Sequence, residues 1–169
     1  MTENPSTARP SVPKSAYEAT REELLGSIDR APSLVEAHQR VCDELYVAFE
    51  HYSWVGIYTV DEDDLLLSAW SGPEETEHTR IGIGEGICGL AAATGETELV
   101  PDVTERSEFI ACFPSTKSEI VVPIHGPEGV IGEIDIDSDW LNAFGNVDRA
   151  FLETIAAALG DKSSSQLET

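Results

Sequence analysis

Basic residues are scarce in this sequence. The 169 residues contain 10 lysines and arginines against 32 aspartates and glutamates, for a formal net charge of -22 at pH 7. DNA, RNA and anionic lipid need a basic surface, so the composition excludes them as partners. The acids are spread along the whole chain, which favours a solvated, halophilic protein surface, because strong salt screens self-repulsion. A surface for a basic partner is the alternative.

Long apolar runs are also missing. None reaches the ~20 residues that a membrane helix needs, so we expect no membrane contact. Residues 1–14 are polar and proline-rich, and they lack the apolar centre of a signal peptide. The sequence therefore predicts a cytoplasmic protein.

Cysteine is rare, and the three cysteines show no spacing typical of a structural disulfide. Cys42, Cys88 and Cys112 form no C-x-x-C pair, which excludes a disulfide framework. In a reducing compartment such residues are buried apolar groups, metal ligands or reactive thiols. A metal site built from Cys88, Cys112, His78 and His125 lacks the short ligand spacing typical of zinc. We therefore predict no metal site and no bound cofactor.

The organisation predicted from the pattern is one domain with two short flanks. A hydrophobic content of 41% supports a packed core. We predict a flexible arm over 1–14, a single domain over 15–160 with a helical start over 15–50, and a polar tail over 161–169. Two capping-box spacings, Ser15 with Glu18 and Ser33 with Glu36, mark the expected helix starts. His38 and His51 are expected at helix surfaces or ends.

The middle of the chain alternates like β-structure. SWVGIYTV and LLLSAW read as one hairpin, and EIVVPIH and GVIGEIDID as another. ELVPDV reads as an edge strand, since Pro101 cannot donate to a ladder. Asn146 is expected to cap a last helix with Val147 and Phe151 facing inward. The order predicts an α+β fold: an antiparallel sheet, with N- and C-terminal helices packed on one face and a loop-covered pocket on the other.

A glycine-rich segment, IGIGEGICG, matches the dinucleotide pattern G-x-G-x-x-G at Gly84, Gly86 and Gly89. The match is weak, because the pattern needs a parallel βαβ unit around it. A tight turn that opens a helix is the favoured interpretation. Cys88 would then lie at the start of the helix, where the dipole favours a thiolate.

Alternating acids suggest a second kind of chemistry. Asp135 and Asp137 in EIDID share one face of a strand, and Glu119 begins the preceding strand. Burial would raise at least one carboxyl pKa and leave a proton donor at neutral pH. A polar outer face of the strand is the alternative.

Two further features of the pattern stay open. Trp54 and Tyr58 also share a strand face, as core aromatics or as the wall of a pocket. Cys112 lies in the polar loop 104–117, as a reactive thiol that Lys117 could activate or as an incidental one.

Taken together, SWVGIY, GEGICG, ETELVPDV, FIACxxxxKSEIVVPI and VIGEIDIDS resemble the free methionine-(R)-sulfoxide reductases, which are single GAF-type domains. The resemblance covers about residues 50–158. It implies a GAF-like sheet with helices on one side and a loop-closed pocket on the other. It also implies thiol-dependent reduction of free L-methionine (R)-sulfoxide to methionine, through a cysteine sulfenic acid and a disulfide. A GAF-type ligand or redox sensor without catalysis is the alternative.

The resemblance assigns roles to seven residues. Cys112 matches the nucleophile and Cys88 a resolving cysteine. Glu119, Asp135 and Asp137 match the acids that hold the substrate's ammonium group and the sulfoxide oxygen. Trp54 and Tyr58 match the aromatic wall. The implied partners are free methionine sulfoxide and a thioredoxin-like dithiol; a homodimer is left open.

The chain departs from the family pattern at three positions. His78 stands where the family usually has a third cysteine, which often serves as a resolving thiol. Phe109 and Phe113 stand where it tends to have histidine and aspartate. Turnover would therefore rely on Cys88 alone, behind an altered pocket lid.

Overall fold

Helices and strands follow one another as the hydrophobic spacing predicts. The computed structural model describes residues 9–109 and 113–167. The helices are α1 (Lys14–Arg30), α2 (Leu34–Ala48), α3 (Gly86–Thr94) and α4 (Asn146–Leu167); the strands are β1 (Trp54–Asp61), β2 (Asp64–Ser71), β3 (Arg80–Gly82), β4 (Glu98–Val100), β5 (Ser118–Gly126) and β6 (Gly129–Ser138). Across these described residues, no helix is both long and apolar enough to cross a membrane.

The strands form one antiparallel sheet with the order β3-β2-β1-β6-β5-β4. Both predicted hairpins are present, as β1–β2 and β5–β6. The two hairpins join in the centre, where Trp54 of β1 lies opposite Asp137 of β6. Strand β4 lies at an edge, and Pro101 follows it, as expected. The α+β prediction is confirmed.

The two faces of the sheet bury different kinds of side chain. Alternation in β6 turns Ile134 and Ile136 toward the helical side, where they join the main hydrophobic core with residues of α1, α2 and α4. The predicted packing of the terminal helices on one face is confirmed. The opposite face carries α3 and a second, smaller core that contains Trp54, Tyr58 and Cys88. This second face holds the candidate site.

A buried carboxylate on α4 ties α1 to the loop between α2 and β1. Oδ1 of Asp148 accepts hydrogen bonds from the Tyr17 and Tyr52 hydroxyls at 2.9 and 2.8 Å, and lies 2.9 Å from His51 Nε2. Its Oδ2 accepts from the Gly145 N–H at 2.9 Å. His51 lies in the turn just after α2, at a helix end as predicted, but it is fully buried. A buried imidazole is tolerated here because the carboxylate partners it.

His38 is buried as well, against the prediction. Its Nδ1 lies 2.8 Å from the Ser68 hydroxyl on β2, and only 3% of the residue is exposed. Burial lowers the pKa of His38 to about 4, because the charged imidazolium loses its hydration. The residue is therefore a neutral part of the packing between α2 and the sheet.

The start of the domain differs from the prediction. Helix α1 begins at Lys14 with Pro13 as its N-cap, and no side chain caps it, so the Ser15–Glu18 box is wrong. The Ser33 side chain does accept the Glu36 N–H, as predicted. Residues 1–8 of the predicted arm lie outside the described residues. The remainder is anchored, because Arg9 donates to the Ala143 carbonyl at 2.8 Å.

The end of the chain is also corrected. Residues 161–167, predicted as a polar tail, continue α4; residues 168–169 are not described. Lys162 holds this part of the helix by donating to the carbonyls of Asp29 and Ala31. Asn146 is the first residue of α4 rather than its cap. Val147 is 54% exposed, because the apolar face by which α4 packs on the core begins one turn later.

Candidate active site

A tight glycine turn sets the position of Cys88. The Gly84 N–H donates to the Gly89 carbonyl at 2.8 Å, and Gly84 and Gly86 have positive φ angles of 95° and 66°. A Cβ on Gly89 would lie 2.5 Å from the Gly82 carbonyl oxygen. The glycines therefore serve close helix–strand packing, as the preferred interpretation held, in a sheet without parallel strands. Cys88, the third residue of α3, is 6% exposed.

The predicted acids lie on the same face as Cys88. Glu119 of β5 lies opposite Asp137 of β6, and Val121 lies opposite Asp135. Glu119, Asp135 and Asp137 are 5%, 1% and 3% exposed. These values exclude the alternative of a polar outer face.

Sequence reasoning missed a fourth acid. Glu133 is completely buried and precedes Asp135 by two positions, so it shares the same face. The signal was present, since the alternation of GEIDID begins at this glutamate. In an acidic chain, however, one more charged residue did not stand out.

Cys88 and two of the acids converge on one point. Cys88 Sγ lies 3.9 Å from Glu119 Oε1. The sulfur and one carboxylate oxygen each from Glu119 and Asp135 all lie within 4.8 Å of one another. A helix, the β5 strand and the β6 strand therefore present their polar groups to a common volume.

Burial dominates the electrostatics of this cluster. The pKa values of Glu133, Asp135 and Asp137 are all raised, first because burial removes their hydration and then, for Glu133 and Asp137, because Asp135 repels a second charge. In the described part of the chain, these three residues form no ion pair with a basic side chain. At neutral pH the cluster therefore retains protons and can donate them.

The environment of Cys88 overturns the expected thiolate. Burial, followed by the charges of the surrounding acids, raises the pKa of the Cys88 thiol well above its usual value. The helix dipole contributes only about 0.3–1 kcal/mol, which is too little to offset the burial of the thiol among carboxyl groups. Cys88 is a protonated thiol at neutral pH.

Aromatic residues border the cluster. A Cβ on Gly56 or on Gly72 would lie 2.3 or 2.5 Å from the Trp54 indole, so both glycines make room for the ring. Phe113 packs against Trp54 with ring centroids 5.7 Å apart. Trp54 and Phe113 line a small opening of about 30 Å³ that also exposes Asp137.

Tyr58 is held in the second core. Its hydroxyl donates to the backbone carbonyl of His78 at 2.8 Å, and the His78 N–H donates to the Thr76 hydroxyl at 3.1 Å. Phe109 is partly buried against the same core. A larger groove of about 580 Å³ lies elsewhere, between α4 and β5. It contains none of the predicted site residues.

Cys112 lies outside the described residues, together with residues 110 and 111. Its predicted role as nucleophile therefore stays a prediction. The chain on either side is described: it approaches through the short 3₁₀ turn Val103–Glu105 and resumes at buried Phe113.

Comparisons with known proteins place this geometry in a family. The GAF domain model matches residues 31–161. The free methionine-R-sulfoxide reductase of Saccharomyces cerevisiae is 43% identical over 108 residues, which are 62% of this chain and 59% of that protein. The free methionine-R-sulfoxide reductase of Escherichia coli is 33% identical over 115 residues, 68% of each chain.

A solved structure agrees with the sequence relatives. The X-ray structure of free methionine-R-sulfoxide reductase from Neisseria meningitidis, in complex with its substrate, is 32% identical and has a TM-score of 0.86. The superposition covers 96% of this chain and 98% of that one. Fold, motifs and identity thus agree, and the chain belongs to the GAF-domain family and, within it, to the free methionine-R-sulfoxide reductases.

Proposed function

We propose that this protein reduces free L-methionine (R)-sulfoxide to methionine, with Cys112 as nucleophile and Cys88 as resolving thiol. The observation that carries the proposal is the group of four acids, Glu119, Glu133, Asp135 and Asp137, buried beside Cys88. The sequence and structural relatives that are free methionine-R-sulfoxide reductases support the choice of substrate.

The acids suit the two polar ends of this substrate. A free amino acid carries an ammonium group, which an ionised carboxylate stabilises in a buried site far better than water-exposed acids would. A second carboxyl that keeps its proton can donate to the sulfoxide oxygen. Asp137, which borders the opening, and Asp135 behind it supply one group of each kind. Trp54 packs beside the opening as an apolar wall for the methyl group.

Reduction proceeds through the loop thiol. The Cys112 thiolate attacks the sulfoxide sulfur, and a neutral carboxyl protonates the oxygen. The oxygen then passes from the substrate sulfur to the Cys112 sulfur, the sulfur–sulfur and sulfur–oxygen bonds of the adduct break, and methionine leaves with Cys112 as a sulfenic acid. Two electrons pass from the thiol to the substrate.

Cys88 completes the cycle as a thiol rather than as a preformed thiolate. Its sulfur displaces water from the sulfenic acid and forms a disulfide with Cys112, and a neighbouring carboxylate such as Glu119, 3.9 Å away, accepts its proton. An external dithiol of the thioredoxin kind then reduces the disulfide. The step requires the two Cα atoms to approach within ~7 Å.

A chiral substrate assay tests the proposal. Purified full-length protein in high salt is incubated with dithiothreitol and either free methionine (R)-sulfoxide, the (S) epimer or N-acetyl-methionine (R)-sulfoxide. We expect methionine only from the first compound, because the acetyl group removes the ammonium charge. Cys112→Ser abolishes the reaction.

Cys42→Ala is the matched control, since Cys42 is buried in the helical core away from the site. It should retain activity. Equal turnover of the N-acetyl compound would contradict ammonium recognition by the acids. Binding of the sulfoxide without any product would instead support the sensor alternative.

A further inference from the structure

The acid cluster contains more ligand atoms than an ammonium group uses. Among the described residues, no hydrogen-bond partner meets either oxygen of Asp135, either oxygen of Glu133 or Oδ1 of Asp137, although these atoms are buried. Unpartnered buried carboxylates are costly and call for a cation. Here a cysteine sulfur lies at the same point.

We propose that Cys88, Glu119 and Asp135 form a binding site for a borderline-soft divalent cation such as Zn²⁺, and that occupation of this site excludes the substrate. The metal-binding part stands on the cluster alone. Exclusion of the substrate rests on the proposed function, because it requires the same acids to receive the ammonium group.

The distances fit a tetrahedral ion. Zinc bonds of ~2.3 Å to sulfur and ~2.0–2.2 Å to carboxylate oxygen put the two ligand atoms roughly 3.6 Å apart at a tetrahedral angle. Cys88 Sγ and Glu119 Oε1 are 3.9 Å apart, and the Asp135 oxygen lies within 4.8 Å of both. Small side-chain rotations therefore close the site, with water in the fourth position.

The donor set selects the kind of metal. Mg²⁺ and Ca²⁺ take all-oxygen sites of six or more ligands. A thiolate with two carboxylates suits Zn²⁺ or its heavier analogue Cd²⁺. As the sulfur–metal bond forms, the thiol proton leaves to solvent, and no electron is transferred.

Occupation would stop the catalytic cycle at two points. The metal holds Cys88 as a bound thiolate, so its sulfur cannot resolve a sulfenic acid. It also places a positive charge on Asp135, one of the two acids that receive the polar groups of the substrate in the proposed function. Free zinc would thus act as a reversible inhibitor that competes with methionine sulfoxide.

Cadmium titration tests the site directly. Cd²⁺ added to reduced, metal-free, full-length protein should produce the sulfur-to-cadmium charge-transfer absorption in the ultraviolet at one ion per chain. Zn²⁺ should displace it. We expect Cys88→Ser to lose the band, and Glu119→Gln and Asp135→Asn each to weaken binding at least about tenfold. Glu128→Gln, which removes one exposed carboxylate in the β5–β6 turn, should bind like the wild type.

The variant Cys112→Ser tests whether Cys88 or Cys112 supplies the sulfur ligand. Retention of the band in this variant supports Cys88 as the sulfur ligand, whereas its loss would assign the sulfur to Cys112 and overturn the proposed set. An unchanged cadmium affinity in Asp135→Asn would exclude Asp135 as an oxygen ligand and would also overturn the proposed set. Metal binding in a protein inactive toward the sulfoxide would leave the site standing while the reductase proposal failed.

Discussion

The thiol of Cys88 lies 3.9 Å from the carboxyl of Glu119, although the two residues are 31 positions apart and belong to a helix and a strand. The contact joins a sulfur to the most accessible part of a buried acid cluster. Burial first, and then the surrounding acids, raise the pKa of the Cys88 thiol. The contact with Glu119 would give this thiol a proton acceptor in the proposed resolution of a sulfenic acid.

Cys88→Ser should separate the two halves of the cycle. We expect one equivalent of methionine per chain, because Cys112 still attacks the substrate, but no sustained turnover with a thioredoxin-type reductant. The measurement is rapid-quench product analysis beside steady-state turnover. In the wild type without reductant, mass spectrometry should show a Cys88–Cys112 disulfide. Steady turnover by Cys88→Ser with thioredoxin would refute the resolving role.

Glu133→Gln should flatten the pH dependence of stability. Burial, reinforced by Asp135, raises the pKa of Glu133 well above its ordinary 4.5, so the folded carboxyl keeps a proton that the unfolded one loses. This stability is present below about pH 4.5 and is lost as pH rises through the folded pKa. The free energy of unfolding of the variant should therefore fall less steeply with pH than that of the wild type, by up to about 1.4 kcal/mol per pH unit.

Urea unfolding between about pH 5 and 8 measures the effect. Glu128→Gln, on the surface, is the control and should follow the wild-type slope. A variant that declines as steeply as the wild type would mean that Glu133 is ionised in the folded protein.

Asp148→Asn should destabilise the fold by about 2–4 kcal/mol at neutral pH. The amide oxygen can still accept from Tyr17 and Tyr52, but its NH₂ group would face the Gly145 N–H, which now donates to Oδ2. Although burial opposes ionisation, hydrogen bonds from His51, Gly145 and Tyr52 lower the Asp148 pKa below its ordinary 3.8.

The pH dependence checks the cause of that loss. Since the Asp148 pKa is lowered in the folded state, its contribution is present above about pH 4 and is lost as pH falls through the folded pKa. The gap between Asp148→Asn and wild type should therefore shrink in acid. Chemical unfolding at neutral and acid pH measures it, and a gap that grows on acidification would contradict the charge of the buried carboxylate.

Gly56→Ala should disturb the aromatic wall. Its Cβ would lie 2.3 Å from the Trp54 ring, so the indole must shift, at a cost of about 1–3 kcal/mol. We expect altered tryptophan fluorescence and a raised KM for the sulfoxide. Gly145→Ala, whose Cβ would meet nothing within 4 Å, is the matched control. An unchanged KM in Gly56→Ala would exclude Trp54 from the substrate pocket.

Salt should stabilise the folded protein. With a net charge of -22, self-repulsion weakens as the Debye length falls from ~10 Å at 0.1 M to ~3 Å at 1 M salt. The thermal unfolding midpoint, followed by circular dichroism in KCl, should rise over this range. A variant with exposed Glu22, Glu50 and Glu128 changed to Gln should rise less. A midpoint independent of salt would refute the halophilic interpretation.

Local periodicity was enough to predict much of the site. Alternation in EIDID put Asp135 and Asp137 on one face, and the same rule brought Trp54 and Tyr58 together on β1. These features depend only on the two-residue repeat of a strand. The central β1–β6 pairing then placed both sets on the α3 side of the sheet.

What failed depends on neighbours far along the chain. The thiolate expected at Cys88 followed from the helix terminus, whereas its actual state follows from acids on β5 and β6. The burial of His51 could not be predicted, because its partner Asp148 is 97 positions away. The cap expected at Ser15 is an exception, since the N-cap that replaces it, Pro13, is only two positions away. Local rules cannot anticipate which distant groups burial will bring together.

The central pairing of β1 with β6 also constrains biosynthesis. Until β6 has left the ribosome, β1 can pair only with β2, and its other edge stays open with Val55 and Ile57 beside it. Open apolar edges invite pairing between nascent chains. Translation that stalls within residues 129–138 would therefore yield aggregation-prone fragments, and chaperones that bind nascent chains would protect this protein most during that interval.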